Sequence, residues 1–325
     1  SCATEAFPGL PARAGAVAGR RGAWDPAVTR MAWLGLVRAA AEVGDRAARS
    51  RLRARLRARL RAAAEGLFAP IDPSSIAWFR FAFGAVMVWE VLRYFVNGWI
   101  HRSFIDPVFH FKFPGFHGVE PLPGIGMYAV FAALGVLAAC IAVGLFYRVA
   151  AALFFVGFSY VFLIEHTRYL NHFHLIILLS FLLIFVPAHR AYSVDARLFP
   201  KVRSKPVPAW SLWLLRGQIG LVYFFGGVAK LNGDWLRGEP LRMWLSRRGS
   251  DPLLGDILTH GLTPWVMSYA GLLFDLFVFP LMLWRRTRLA ALLAGVAFHL
   301  TNARIFSIGI FPWLMLAASL IYFAP

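Results

Sequence analysis

Long apolar segments dominate the sequence after residue 70 and restrict its fold more than any other feature. A membrane-spanning helix needs about 20 apolar residues, because each residue adds 1.5 Å along the helix axis. The apolar character is continuous rather than alternating, which excludes a transmembrane β-barrel. We therefore predict an all-α, polytopic membrane protein with about eight transmembrane helices, the seventh of them short enough to be re-entrant. The eight segments are 76–96, 125–146, 149–165, 170–187, 210–231, 265–284, 288–301 and 305–323.

Composition excludes a soluble protein and a cysteine-based site. Charged residues make up 15% of the chain and hydrophobic residues 59%, whereas soluble domains carry roughly 25% charged residues. The two cysteines, Cys2 and Cys140, are too few for a disulfide framework or a cysteine-based zinc site. We predict no bound metal.

An arginine-rich extension precedes the apolar segments. Residues 1–70 contain thirteen arginines and five acidic residues. Between Arg46 and Phe68, leucines recur every fourth residue at 52, 56 and 60, which predicts a basic amphipathic helix. We expect it to lie on the anionic lipid bilayer and predict no nucleic-acid partner; a solvated arginine-rich tail is the alternative. We interpret residues 1–70 as an N-terminal extension that need not be native, since translation starting at Met31 would omit its first part. Residues 71–325 are the predicted membrane domain.

The loop charges predict an orientation. Lysines and arginines concentrate in the loops at 188–209 and 285–288. Because basic loops stay on the cytoplasmic side, the N-terminus is expected to be cytoplasmic. Loop 232–263 then lies on the outer side.

Four ionisable residues within the segments are interpreted as partners in packing. Charged side chains inside a membrane are costly, so they pair with one another or serve a function. Arg80, Glu90, Arg216 and Asp275 fit ion pairs between helices, for example Arg216 with Asp275.

Lys230 has a different sequence context. It follows an aromatic and glycine-rich stretch, and the next acidic residue along the chain is Asp234. An amine without an acid partner in apolar surroundings is a candidate base or nucleophile. The structural alternative is a lysine that extends its ammonium group to the membrane surface.

Two histidines share the expected membrane depth of Lys230. His172 begins the fourth segment, and His299 ends the seventh. The span count places both near the outer end of the fifth segment, where Lys230 lies. We therefore predict a candidate site between helices, although an isolated buried histidine is more often structural.

Several collinear motifs resemble a known family. They are SVDA at Ser193–Ala196, LLRGQIGLVYFFGGVAKLNGDW at Leu214–Trp235 and FHLTNARIFSIGIFPW at Phe298–Trp313, supported by FRFAFG, PVFHFKFPGF and YLNHFHL. Together they resemble the vitamin K-dependent γ-carboxylase family, in its bacterial branch of horizontally transferred transmembrane (HTTM) domains. The resemblance extends from about Asp72 to Pro325.

The resemblance implies an enzyme of the bacterial inner membrane. It would couple the oxygenation of reduced vitamin K hydroquinone to its epoxide with the γ-carboxylation of glutamate in a protein, using O2 and CO2 as co-substrates. Lys230 corresponds to the initiating base, and His172 to a second catalytic residue. Asn171, His299 and Asn302 correspond to quinone-binding residues, and a secreted, glutamate-rich protein is the implied partner.

Two departures leave alternatives open. Ala229 occupies the place where the animal enzymes have a second lysine, and the family's large extramembrane region has no counterpart before Pro325. A quinone-linked oxidoreductase or epoxidase of the same fold without carboxylation is the nearest alternative. A non-enzymatic transport or assembly protein is the alternative from another class.

Overall fold

The computed structural model describes residues 52–203, 206–252, 254–306 and 308–323. It divides after Ala63 into two compact units. Of the first unit, residues 52–63 are described; they belong to helix α1, which covers residues 52–68 and is exposed throughout, its leucines included. Residues 1–51, with the first part of the predicted basic helix, lie outside the described residues.

The second unit is built almost entirely of helices. The only strands among its described residues, β1 and β2, pair antiparallel, with Pro70 opposite Pro208 and Ile71 opposite Val207. In chain order the elements are β1 Pro70–Ile71, α2 Ser74–Val96, a π-helical turn at His101–Ile105, α3 Gly126–Val143, α4 Tyr147–Ile164, α5 Asn171–Phe185, α6 Val194–Leu198, β2 Val207–Pro208, α7 Ala209–Ala229, α8 Gly233–Leu236, α9 Glu239–Ser246, α10 Gly255–Thr259, α11 Thr263–Leu283, α12 Arg288–Ile305 and α13 Phe311–Ser319.

The protein is an all-α polytopic membrane protein, as the sequence predicts. Each of the eight apolar segments forms a helix, but five of the described helices, α2, α3, α4, α7 and α11, are long and apolar enough to cross a membrane. Helices α5 and α13 are apolar but shorter. Helix α12 is less apolar, because its last two turns carry His299, Asn302 and Arg304.

The helices form one main core and a smaller apolar cluster around α9 and α10. Helix α2 packs against α3, α3 against α4, and α4 against α5, while α7 packs against α11 and α11 against α12. Helix α13 contacts both α12 and α2, so the last helix closes the bundle on the first. The main core includes Phe83 of α2, Phe154 of α4 and Tyr322 just after α13.

Arg80 is buried among main-chain carbonyls, not paired with a carboxylate as the sequence suggested. Its guanidinium donates to the carbonyls of Ile141 and Ala142 at 2.8 and 2.5 Å, and to those of Ala188 and Tyr192 at 3.1 and 2.6 Å. Carbonyls at the end of a helix have no partner within the helix, so the last turn of α3 can accept these bonds. Arg80 thus joins α2 to the end of α3 and to the segment after α5.

The other predicted packing pairs also differ from expectation. Glu90 pairs with Arg93 of its own helix at 2.6 Å. The expected Arg216–Asp275 pair does not form: Arg216 donates to the carbonyls of Ile321 and Tyr322 at 3.0 and 3.2 Å. Asp275 faces a different cation, described below.

The SVDA motif is a structural connection. Ser193 accepts the Ala196 amide at 3.0 Å and caps α6. The Asp195 carboxylate accepts the amides of Phe146 and Tyr147, at 2.8 and 3.0 Å, at the start of α4. An anionic acceptor at a helix N-terminus is stabilising, so this motif holds the segment after α5 against the α3–α4 turn.

Candidate active site

Two glycines let α7 and α11 approach closely. A Cβ added to Gly220 would lie 2.5 Å from the ring of Phe279, and one added to Gly227 would lie 2.7 Å from the side chain of Leu276. Small residues at helix contacts allow such approach inside membranes. The close packing brings the end of α7, where Lys230 lies, beside Asp275 in the middle of α11.

Lys230 and Asp275 form an ion pair. The Lys230 Nζ lies 2.5 Å from Asp275 Oδ2 and donates to the Gly226 carbonyl at 3.1 Å. The side chains are 20% and 9% exposed. The sequence-based expectation that Lys230 has no acid partner is therefore wrong, because its partner lies 45 positions away in sequence and meets it only through helix packing.

The residues after Lys230 fix its position. Asn232 accepts the Trp235 amide at 2.9 Å and caps α8. The indole of Trp235 then lies over the Lys230 ammonium, 5.2 Å from Nζ to the ring centroid, within the range of a cation–π contact. The Trp235 Nε1 donates to the Ser268 carbonyl of α11 at 3.0 Å. The KLNGDW motif thus ends α7 and covers its lysine.

A second polar group lies between α7, α12 and α13. The Tyr223 hydroxyl is 2.9 Å from His299 Nε2 and 3.4 Å from the Ser319 hydroxyl. His299 is fully buried, and its Nδ1 has no hydrogen-bond partner among the described residues. A buried polar atom of this kind calls for an explanation. Tyr223 was not among the residues predicted from sequence.

A large cavity connects these groups. Its volume is about 1580 Å³, and its walls come from α5, α7, α11 and α12, with α9 on one side. Four of the five predicted site residues line it: Asn171, Lys230, His299 and Asn302. Most of the remaining lining is apolar, including Leu175, Val222, Phe274 and Phe298.

His172 is not among the residues that line this cavity. Its ring lies 5.9 Å from the ring of Phe311, which does line the cavity. A Cβ added to Gly309 would lie 3.8 Å from His172 Nε2 and 3.5 Å from a guanidinium nitrogen of Arg93. His174, two residues further on, lines the cavity instead, since a step of two residues turns a helix by roughly 200°.

The HTTM domain family matches residues 68–325. The chain belongs to the HTTM domain family. HTTM domains are found in the vitamin K-dependent carboxylase family, so this is a membrane protein of the carboxylase-related family. No solved structure matches the chain. The matched region of this HTTM domain includes every residue that lines the cavity.

The HTTM domain places two basic residues in the lining of the cavity. Arg247 and Arg248 belong to its lining, beside Trp244 of α9. Helix α9 is held by its apolar side, where Leu241 and Leu245 are buried. Arg247 and Arg248 therefore add positive charge to a lining that is mainly apolar.

A histidine–glutamate pair of the HTTM domain lies just beyond the end of α4. His110 Nδ1 is 3.2 Å from Glu165 Oε2, and both side chains are buried. Burial raises the pKa of Glu165, but hydrogen bonds from Thr167, Phe111 and His110 outweigh burial and hold the pKa below the ordinary glutamate value. These bonds join the PVFHFKFPGF motif to α4. Among the described residues of the HTTM domain, no group of three or more His, Cys, Asp or Glu side chains is arranged to hold a metal ion.

Proposed function

We propose that this protein is a membrane enzyme that oxidises a reduced quinone, and that it acts as the vitamin K-dependent carboxylases do. The observation that carries the proposal is the Lys230–Asp275 ion pair on the wall of a large, mainly apolar cavity between helices. Ionisable groups inside a membrane bundle mark functional sites by default. The family membership supports the same class of protein.

The cavity fits a hydroquinone. Such a molecule is flat and apolar with a hydroxyl at two edges, and it needs apolar walls with a few polar contacts. His299 and Asn302, one helical turn apart on α12, both line the cavity and would supply the polar contacts. Asn171 lines the same cavity from α5. Its volume exceeds the roughly 300–1000 Å³ of ordinary ligand pockets, which leaves room for an isoprenoid chain or a second substrate.

The Lys230–Asp275 pair can accept one proton. As an ion pair, Lys230 carries a full set of protons and the Asp275 carboxylate has none. Uptake of a hydroxyl proton by the carboxylate leaves the ammonium facing the new oxyanion, which it stabilises. The base role that the resemblance assigns to Lys230 is in this proposal shared with Asp275. His172 contacts Phe311 and so supports the cavity wall.

The reduced quinone supplies the electrons that reduce O2, and in the carboxylases this reaction drives CO2 capture at the γ-carbon of a glutamate. The protein's part in that second reaction is to bind an acidic side chain and exclude water. Arg247 and Arg248 line the cavity, where they would attract a carboxylate. The apolar walls keep out water, which would protonate a strongly basic group. We propose a secreted, glutamate-rich protein as the acidic partner.

The test uses purified full-length protein in lipid nanodiscs with vitamin K hydroquinone, O2, labelled CO2 and a glutamate-rich peptide. Hydroquinone oxidation and label incorporation are measured separately. We expect Lys230→Ala to lower hydroquinone oxidation at least 100-fold, the usual scale for loss of a positioned proton-transfer group. Lys201→Ala, at an exposed position outside the cavity, is the matched control and should retain full activity.

The outcomes separate the candidate functions. Oxidation without incorporation would favour a quinone-linked oxidoreductase or epoxidase over a carboxylase. Oxidation by Lys230→Ala within a factor of two of the parent protein would contradict the site assignment, because such a change is too small for a lost transition-state interaction. Absence of both activities in a folded, quinone-binding protein would leave transport or assembly as the better proposal.

A further inference from the structure

A second cavity lies at the other end of the helices. Its volume is about 880 Å³, and it is formed between the β1–α2 junction, residues 190–203 and Pro206. Helix α7 starts at Ala209, directly after this segment, and ends at Ala229 beside Lys230. Its 21 residues span about 30 Å at 1.5 Å per residue. The second cavity is therefore separate from the candidate active site.

The lining of the second cavity is basic. Arg190, Arg197 and Arg203 belong to it, with Asp72 as its acidic residue. Hydrogen bonds from Ser74 hold the pKa of Asp72 below the ordinary value, so the carboxylate stays charged and the lining carries a net charge of +2. Arg190 also donates to the Pro206 carbonyl at 2.5 Å, which fixes its side chain along the wall.

One exposed aromatic residue lines this cavity and two more lie next to it, and we call these three side chains the mouth of the cavity. Tyr192, which lines it, is 70% exposed. The Trp78 ring lies 6.2 Å from the Tyr192 ring and 6.0 Å from the Phe81 ring. Tryptophan and tyrosine concentrate at the level of lipid headgroups. The aromatic group therefore places the mouth of the cavity at the membrane surface.

A buried arginine fixes the main chain at Tyr192. Tyr192 has a φ of +46°, a left-handed conformation that non-glycine residues adopt only when their surroundings impose it. The buried Arg80 donates to the Tyr192 carbonyl at 2.6 Å, and Ser193 next to it caps α6. Arg80 and the cap of α6 thus hold the main chain on both sides of the Tyr192 carbonyl.

We propose that this second cavity binds a phosphate group, with the headgroup of an anionic phospholipid as its source. Guanidinium groups match phosphate geometry with two parallel hydrogen bonds. Basic cavities next to membrane helices are suited to anionic headgroups. The aromatic mouth favours a lipid over a soluble phosphate ester, because it places the phosphate at headgroup depth.

The test measures lipid binding to the full chain in neutral detergent by native mass spectrometry. The probes are phosphatidylglycerol, phosphatidylcholine and soluble glycerol 3-phosphate. We compare Arg190→Gln/Arg197→Gln with the control Arg285→Gln/Arg286→Gln, whose exposed arginines lie outside the cavity. Both variants lower the net charge by two, so their non-specific attraction for anionic lipid falls equally. The arginine-rich N-terminal segment is the same in both.

We expect phosphatidylglycerol to bind about 25-fold more weakly to the cavity variant, at roughly fivefold for each of the two arginines. The control should change less than twofold, and phosphatidylcholine should bind weakly to all forms. Because Arg190 also bonds Pro206, Arg197→Gln alone provides a milder variant, with an expected fivefold loss and an unchanged melting temperature. Cavity-dependent binding of glycerol 3-phosphate as tight as that of the lipid would support the phosphate site and assign it a soluble ligand. Equal losses in the cavity and control variants would overturn the proposal.

Discussion

At the scale of single residues, the partners of the buried cations determine what each can do. Arg80 is fully buried among four carbonyls, an arrangement that satisfies a guanidinium permanently and suits a structural role. Lys230 faces one carboxylate, one carbonyl and an indole ring, and it borders a cavity. The first environment is closed, whereas the second leaves room for a substrate to share the proton.

The Lys230–Asp275 pair predicts a strong energetic coupling. Lys230→Met leaves a buried carboxylate without its cation, and Asp275→Leu leaves an ammonium without its anion. Each single change is expected to lower the free energy of unfolding by about 3 kcal/mol, as for other buried pairs that lose one partner. The double variant should recover most of this loss, because both charges are gone. Denaturant titration in detergent, followed by tryptophan fluorescence, measures all four proteins.

The exposed pair Arg237–Asp234 is the matched control. Its atoms are 2.6 Å apart, but both side chains are largely exposed. The same double-mutant cycle there should give a coupling below about 1 kcal/mol. Additive losses at positions 230 and 275 would contradict a functional ion pair and favour a lysine that reaches the membrane surface independently.

At the scale of elements, glycines determine how closely the helices pack. A Cβ added to Gly84 of α2 would lie 2.5 Å from the Ala142 amide nitrogen and 2.7 Å from the Ala138 carbonyl oxygen. Both are main-chain atoms of α3, so no side chain can move aside. Van der Waals packing is a main source of helix association in membranes, and this contact therefore contributes directly to the core.

Gly84→Ala is expected to destabilise the protein by about 1–3 kcal/mol, the usual cost of overpacking. Alanine favours a helix by about 1 kcal/mol over glycine. The measured loss of stability is therefore the cost of the clash minus this gain in helix propensity. The melting temperature in detergent, followed by size-exclusion chromatography after heating, gives the readout.

Gly217→Ala on α7 serves as the comparison, since a Cβ there meets no atom within 4 Å. We expect it to be neutral or slightly stabilising. If both substitutions had the same effect, helix propensity rather than the α2–α3 contact would account for Gly84.

At the scale of the whole molecule, the candidate site draws on residues from distant parts of the chain. Asn171 begins α5, Lys230 follows α7, Asp275 lies in α11, and His299 lies in α12. They line one cavity, so each helix must run in the direction that the shared site requires. A topology that placed these residues at different membrane depths would therefore contradict the candidate site as well.

Helix α7 is the single crossing between the two long polar segments, 188–206 and 232–262. We predict that cysteines introduced at Lys201 and Ser250, both exposed, are labelled from opposite sides of a sealed vesicle by a membrane-impermeant reagent. The background protein has Cys2 and Cys140 replaced by alanine. The basic loop predicts position 201 on the cytoplasmic side. Labelling of both cysteines from the same side would contradict the crossing by α7.

The sequence alone determined the fold class and most of the helix positions. Seven of the eight apolar segments match helices to within four residues at each end, because segment length and hydrocarbon thickness are local properties that pattern analysis captures. The eighth, 305–323, begins six residues before α13. It also singled out Lys230, His299, Asn171 and Asn302, which line one cavity. For Lys230 and His299 the signal was a polar residue near the end of an apolar segment, where a span count predicts its depth. Asn171 and Asn302 came from the family resemblance.

The tertiary structure alone decided which side chains meet. Depth does not determine rotation, and each residue turns a helix by about 100°. Sequence analysis therefore paired Asp275 with Arg216, whereas the α7–α11 packing pairs it with Lys230. The same rotation places His174 rather than His172 on the cavity wall, and joins Tyr223 to His299. Contacts of this kind depend on how helices rotate and shift against one another, which no local pattern in the sequence encodes.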